Sequence, residues 1–150
     1  MRAIGWNKNM DFKIDFNFTL EDFEECEEAE KGYFNPDTTA SSFQAYNWYL
    51  KNPDIEIGVR DVATNKIAGQ ATILPLNKEQ YDKFISGELK DTEFSEKNLL
   101  QYEGSKEYYL LLCCIVIKKE YRDNPMVLYF GTIYSVVIIK LIITLFFFII

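Results

Sequence analysis

The first half of the chain changes from a two-residue to a helical pattern of apolar positions. Alternation over residues 12–18 predicts a half-buried strand. We expect its buried face to consist of Phe12, Ile14, Phe16 and Phe18. A helix should follow Thr19, because Thr19 and Asp22 have the spacing of a capping box. The acidic run up to Glu30 is interpreted as the solvated face of this helix, with cation binding as the alternative.

The middle of the chain predicts a helix, a hairpin and a long polar excursion. The elements are a helix over residues 43–51, strands over 55–60 and 67–74, and helices over 78–86 and 96–102. Gly69 inside the second of these strands indicates a bulge or a close backbone approach. The excursion, residues 75–105, is either a lid or specificity element or a surface insertion.

The longest apolar run before the tail, residues 108–117, predicts a strand that is covered on both faces. Cys113 and Cys114 lie in it, and we expect them to point to opposite faces as unreactive core thiols. Asn124 and Pro125 then have the residue types of an N-cap and a first helical position. Unpaired N–H groups at such a helix start suit an anion.

The composition limits the kinds of site and partner that the chain can have. The chain has 150 residues, a formal charge of −7 and no histidine. This length fits one domain. The negative charge argues against a nucleic-acid surface. The absence of histidine excludes Ser-His and Cys-His nucleophiles and His-ligated metal sites. An acidic chain attracts cationic partners such as amines, and the N-terminal residues contain no signal-peptide pattern, so we expect a cytoplasmic protein.

The order of elements resembles that of the GCN5-related N-acetyltransferase family over residues 11–130. The best matching segments are residues 52–60, 65–70 and 115–122. The resemblance implies an α/β (α+β) fold of the acyl-CoA N-acyltransferase type, with a mixed, mainly antiparallel central sheet flanked by helices. This fold would be incomplete at its C-terminal end, and residues 1–150 would form a single domain. The implied function is transfer of an acetyl group from acetyl-CoA to an amine acceptor.

The resemblance also implies a cofactor site. Pantetheine would contact the main chain of Ile115 and Ile117, and the pyrophosphate would lie in the turn lined by Arg122, Asn124, Met126 and Val127. Arg122 matches the first position of the family's Arg/Gln-x-x-Gly-x-Gly/Ala motif, whereas Pro125 and Val127 stand where its glycines belong. No catalytic base is implied. The excursion offers three carboxylates that could attract a cationic acceptor: Glu79, Asp82 and Glu88.

The tail, residues 127–150, is largely apolar and contains one charge, Lys140, and it has two main interpretations. A continuous helix would be about 36 Å long, enough to anchor the chain in a bilayer core of about 30 Å. Alternatively, a helix to residue 138 precedes a buried strand over 141–150, parallel to the strand before it. An altered reading frame is a third interpretation of residues 131–150.

The tail also sets the functional alternatives. A non-catalytic, truncated binding module or a tail-anchored membrane protein is the alternative to an enzyme. A terminal strand left uncovered would favour self-association into a homo-oligomer.

Overall fold

The computed structural model describes residues 11–31, 39–97, 99–102, 108–124 and 127. In this part of the chain, four strands form one antiparallel sheet in sequential order. The strands are β1 (Phe12–Asp15), β2 (Glu56–Asp61), β3 (Ile67–Leu76) and β4 (Tyr109–Ile117). The helices are α1 (Leu20–Glu30), α2 (Ser42–Lys51) and α3 (Lys78–Ser86). This mixed α+β architecture confirms the coarse fold expected from the sequence.

Local signals fix the helix starts where the sequence predicts them. At α1, the Asp22 amide donates to Thr19 Oγ1 at 3.3 Å and the Thr19 amide donates to the Asp22 carboxylate at 2.9 Å, which completes the capping box. Asn77 and Gln80 form the same reciprocal pair at α3. Each box satisfies backbone donors that a helix leaves unpaired.

The hairpin between β2 and β3 also follows its sequence signal. Asn65 adopts a left-handed conformation with φ of 57° in the polar turn. Gly69 lies both at a bulge and at a close backbone approach, the two features that the sequence predicts for it. The register between β2 and β3 shifts beside it, and a Cβ at this position would lie 2.8 Å from the carbonyl oxygen of Val116 on β4. The missing side chain therefore permits the close packing of β3 against β4.

The helices cover one face of the sheet and create the main core. Trp48 of α2 packs in a cluster with residues of β3 and of the excursion, and Phe23 and Cys26 of α1 pack with Ile67 of β3. A smaller cluster on the opposite face contains Val59, Ala68, Tyr121 and Val127. Trp48 is the largest fully buried side chain among the described residues and is only 1% exposed.

The predicted buried face of the strand over residues 12–18 is correct at its two ends, where Phe18 is buried and Phe12 is half-buried, but it is wrong between them. Ile14 and Phe16 are 52% and 57% exposed, whereas Asp15, predicted to face solvent, is 7% exposed. Asp15 is buried because it forms an ion pair with Arg60 of the neighbouring strand β2. This long-range charge pair overrides the apolar alternation.

The predicted burial of the last strand is also wrong. β3 is buried at every position, while most of β4 is half-buried and Leu112 is 41% exposed. β3 lies between β2 and β4, whereas β4 pairs with β3 alone among the described strands. Central position in the sheet, rather than the longest apolar run, decides burial here.

Cys113 and Cys114 do not point to opposite faces. The β3–β4 register changes from Thr72↔Cys114 to Ile73↔Leu112, so Cys113 is an extra residue on β4. This bulge places both cysteines at one cavity on the helix-covered face.

The excursion departs from its prediction in its second half. Residues 96–97 form a turn and residues 99–102 have no regular structure, so the helix predicted over 96–102 is wrong. Leu99 instead packs into the core cluster of Trp48, and the Leu100 amide donates to the Pro75 carbonyl at 3.3 Å.

The tail predictions for residues 131–150 lie outside the described residues, as do Pro125 and Met126. Among the residues that are described, no helix is both long enough and apolar enough to cross a membrane.

Candidate functional site

Hydrogen bonds to neighbouring backbone fix the turn that follows β4. The Lys118 amide donates to the Ala68 carbonyl at 3.0 Å, and the Asn124 amide donates to the Tyr121 carbonyl at 3.0 Å. Tyr121 is buried, and its hydroxyl lies 3.3 Å from the Asp61 carboxylate. The segment that the sequence predicts as an anion site is therefore attached to the sheet at several points.

The structure brings most of the predicted cofactor residues to this end of β4. Ile115 and Ile117 are partly buried on β4, and Arg122 Nε donates to the Ile117 carbonyl at 2.9 Å. Asn124 is partly exposed, whereas the Val127 side chain is fully buried in the cluster with Val59. Met126 lies outside the described residues.

Arg122 lines an open cleft of about 480 Å³, which we call the basic cleft. Five cationic side chains face three carboxylates in it, although the whole chain carries a charge of −7. Its cations are Lys31, Lys66, Lys118, Lys119 and Arg122, and its carboxylates are Glu25, Glu28 and Glu120. The local excess of positive charge suits an anionic ligand.

Ion pairs neutralise part of the positive charge in the basic cleft. Glu25 is paired with Lys118 and, at 3.1 Å, with Lys66. The hydrogen bond from Lys118, opposed by burial and reinforced by Lys66, lowers the pKa of Glu25. Lys119 is exposed and has no carboxylate within ion-pair distance among the described residues. It is the cation best placed to meet a ligand without breaking an existing pair.

The strand that leads to the basic cleft has two unusual features. In the described part of the chain, no strand pairs with the edge of β4 opposite β3. The bulge at Cys113 interrupts the β3–β4 ladder two residues before Ile115. Bulges redirect backbone groups and are frequent beside binding sites.

A second concave site lies between α1, α2 and the helix-covered face of β3 and β4. We call it the acidic cavity; its volume is about 50 Å³. Its polar walls include Glu27 and Glu30 of α1 and Gln70 and Thr72 of β3. Its apolar walls include Phe23, Ala40, Ala45 and Trp48.

A chain of hydrogen bonds links two carboxyl groups across this cavity. Thr72 Oγ1 donates to Glu56 Oε1 at 2.6 Å and lies 3.7 Å from the Cys114 sulfur. Cys114 in turn hydrogen-bonds Glu30. Burial raises the pKa of Glu30, and burial together with the charge of Glu30 raises that of Glu56 well above 4.5.

Two acceptors in this region lack partners. Glu56 Oε2 and Gln70 Oε1 are buried and accept no hydrogen bond from the described residues. Glu56 is 1% exposed and Gln70 is 4% exposed. Sequence reasoning missed both residues, although a polar residue inside an otherwise apolar strand was the available signal.

The carboxylates of the excursion lie elsewhere, in local contacts on and after α3. Glu79 pairs with Lys83 and Asp82 pairs with Lys78, both at 2.6 Å, and Glu88 lies 3.1 Å from the Ser86 hydroxyl. These exposed contacts line neither the basic cleft nor the acidic cavity.

The described residues contain no group of three or more Cys, Asp or Glu side chains arranged to hold a metal ion. Burial raises the pKa of the thiols of Cys26 and Cys114, which disfavours a reactive thiolate at either position.

Comparison of the chain with known proteins gives no significant match to a family model, to a curated protein or to a solved structure.

Proposed function

We propose that the chain binds acetyl-CoA at β4 and the basic cleft and transfers its acetyl group to an amine. The observation that carries the proposal is that β4, with its bulge at Cys113, leads directly to a positively charged cleft that contains Arg122. Such a path suits a ligand with an extended amide-containing arm and an anionic end. The family resemblance of residues 11–130 supports the same proposal.

The two halves of the path suit the two halves of the cofactor. Backbone groups along the edge of β4, near Ile115 and Ile117, can pair with the amides of pantetheine as an added strand would. The pyrophosphate would lie at Arg122 and Asn124, with Lys119 supplying charge that no described carboxylate neutralises. The family resemblance implies that main-chain donors of Met126 and Val127 would complete the turn.

The chemistry needs few protein groups. A neutral amine attacks the thioester carbonyl carbon, the C–N bond forms, the C–S bond breaks, and coenzyme A leaves as the thiol with the proton lost by the amine. The chain would contribute proximity and strand N–H groups that polarise the carbonyl. The backbone redirected at the bulge would supply such a donor.

Titration of the purified chain with acetyl-CoA by calorimetry tests the binding half. We expect saturable binding that is weakened about tenfold or more by Arg122→Ala and by Lys119→Gln, because each variant removes a charge-assisted contact. Lys83→Gln is the matched control, since Lys83 is an exposed lysine on α3 outside the basic cleft.

Equal binding by wild type, Arg122→Ala and Lys119→Gln would place the ligand elsewhere. Absence of binding by the folded wild-type chain would contradict the proposal. Binding without acetyl transfer to any amine would favour the alternative of a non-catalytic binding module.

A further inference from the structure

We propose that the acidic cavity binds the primary ammonium group of a small amine. The inference goes beyond the proposed function, which assigns no residue to an amine. It rests on the unpartnered acceptors and the carboxyl groups between α1 and β3, and it is tested without acetyl-CoA. Failure of either proposal therefore leaves the other intact.

The first argument is an excess of acceptors over available donors. Gln70 lines the cavity and is 4% exposed, yet its Oε1 accepts no hydrogen bond from the described residues. Leaving such a buried acceptor unpaired destabilises the fold, because it loses its hydrogen bonds to water without replacement. A ligand that donates hydrogen bonds would remove this cost.

Several hydrogen-bond donors around the cavity already donate to other acceptors. The Thr72 hydroxyl donates to Glu56 Oε1 at 2.6 Å, and Trp48 Nε1 donates to the Phe94 carbonyl at 3.2 Å. The backbone amide of Ser42 donates to Glu27 at 3.0 Å, and its hydroxyl also hydrogen-bonds that carboxylate. The wall thus presents acceptors to the interior, which a donor-rich group matches.

The second argument is charge. Glu30 lines the cavity and Glu56 lies behind Thr72, and burial, reinforced by the charge of Glu30, raises the pKa of Glu56. Two neighbouring carboxyl groups in a buried site cannot both ionise favourably without a cation. A positively charged donor would compensate them, whereas a neutral donor such as water would satisfy only the hydrogen bonds.

The volume of the acidic cavity and the residues in its walls indicate which kind of cation fits. Since one water needs about 10–15 Å³ of such space, 50 Å³ accommodates about three to five non-hydrogen atoms. The apolar walls formed by Phe23, Ala45 and Trp48 suit a short alkyl chain. No metal-binding group of side chains occurs in the described residues, and a quaternary ammonium has no N–H to donate. A primary alkylammonium meets these conditions.

Titration with n-propylammonium chloride, followed by the backbone amide NMR signals of Thr72 and Cys114, tests the inference. We expect saturable shifts that sodium chloride at equal ionic strength, n-propanol and tetramethylammonium chloride do not reproduce. These reference compounds supply respectively the ionic strength, the size without charge, and the charge without N–H donors.

Two variants locate the effect. Glu30→Gln removes a charge and Gln70→Leu removes the unpartnered acceptor, and we expect each to weaken binding at least tenfold. Glu24→Gln on the exposed face of α1 is the control and should bind like wild type. Gln70→Leu should also fold at least as stably as wild type, because it replaces an unsatisfied polar group by an apolar one of similar size.

Three results would overturn the inference. They are the absence of saturable shifts in the folded wild-type chain, equal shifts with tetramethylammonium or n-propanol, and undiminished affinity in both Glu30→Gln and Gln70→Leu. If one variant does not fold, the remaining variant and the three reference compounds still decide the question.

Discussion

Replacing Arg60 with methionine should destabilise the fold strongly, because Arg60 joins β1, β2 and α1 through one buried network. Its Nε donates to Asp15, and its Nη1 and Nη2 donate to the two oxygens of Asp22 at 3.1 and 3.0 Å. Two further N–H groups donate to the carbonyls of Asn17 and Asn65, at 3.0 and 2.7 Å. All five guanidinium donors are therefore used within a site where the Arg60 side chain is 8% exposed.

Methionine keeps much of the volume but leaves two buried carboxylates without this cation. Removing one partner of a buried ion pair costs about 3–5 kcal/mol. At about 2–4 °C per kcal/mol for a chain of this size, the midpoint of thermal unfolding should fall by about 6–20 °C. Lys13→Met is the matched control, since Lys13 is an exposed partner of Asp15 at 3.8 Å and should contribute less than about 1 kcal/mol.

The pH dependence gives this prediction a distinct signature. Burial alone would raise the pKa of Asp15 and of Asp22, but hydrogen bonds from Arg60 and from neighbouring groups outweigh it and lower both from 3.8. Their stabilisation is thus present above the unfolded pKa and is lost as the pH falls through the lower folded values. Without Arg60, burial should raise both pKa values instead, so acidification should first stabilise the variant.

Urea unfolding followed by tryptophan fluorescence, at pH values from 8 to 3, measures both effects. We expect the difference between wild type and Arg60→Met to be largest at neutral pH, to narrow as the pH falls through the raised pKa values of the variant, and to close only below the lowered pKa values of the wild type. The variant Arg60→Met with Asp22→Asn should be no less stable at neutral pH than Arg60→Met alone, because asparagine needs no counter-ion. A loss below 1 kcal/mol at pH 7, or strictly additive losses in the double variant, would refute the reasoning.

Two further predictions concern buried positions. Glu56→Gln should stabilise the chain at neutral pH, because a folded pKa raised well above 4.5 destabilises the ionised form; this gain should disappear as the pH falls toward 4.5, and urea unfolding that shows a constant or inverted difference would argue against it. Gly69→Ala should lower the free energy of unfolding by about 1–3 kcal/mol, since its Cβ would lie 2.8 Å from the Val116 carbonyl oxygen. Gly87→Ala, which meets no atom within 4 Å but has φ of 78°, should cost only about 1 kcal/mol, and equal losses at both glycines would contradict the packing argument.

Short-range signals account for the parts of the fold that could be predicted from the sequence. The pair Thr19 and Asp22 marks the start of α1, and Asn77 marks the start of α3. Asn65 and Gly69 mark the turn and the irregular strand of the hairpin. In each case the deciding contacts lie within a few residues or follow from backbone conformation.

The wrong predictions share a long-range cause. The burial of Asp15 depends on Arg60, 45 residues further along the chain. The shared orientation of Cys113 and Cys114 depends on a bulge that only the pairing of β3 with β4 reveals. Leu99, which the sequence predicts to lie in a helix, instead packs in the core around Trp48. No local pattern encodes these partners.

The sequence likewise indicates only part of each candidate site, and the rest depends on long-range contacts. The resemblance indicates Arg122 and the end of β4, but the clustering of Lys66 and Lys118 around Glu25 requires the folded chain. Likewise, Glu30 is an ordinary member of an acidic run in the sequence. Only the packing of α1 on β3 places it in one cavity with Gln70.

Acetyl transfer is measured most directly by mass spectrometry of amines incubated with the purified chain and acetyl-CoA that carries an isotope-labelled acetyl group. Our account predicts a labelled acetylated amine and an equal amount of coenzyme A. At subsaturating acetyl-CoA, transfer should be reduced in Arg122→Ala and unchanged in Lys83→Gln. Wild-type chain that is folded yet forms no labelled amide above the protein-free rate, across primary amines that range from propylamine to polyamines and lysine peptides, would contradict the account.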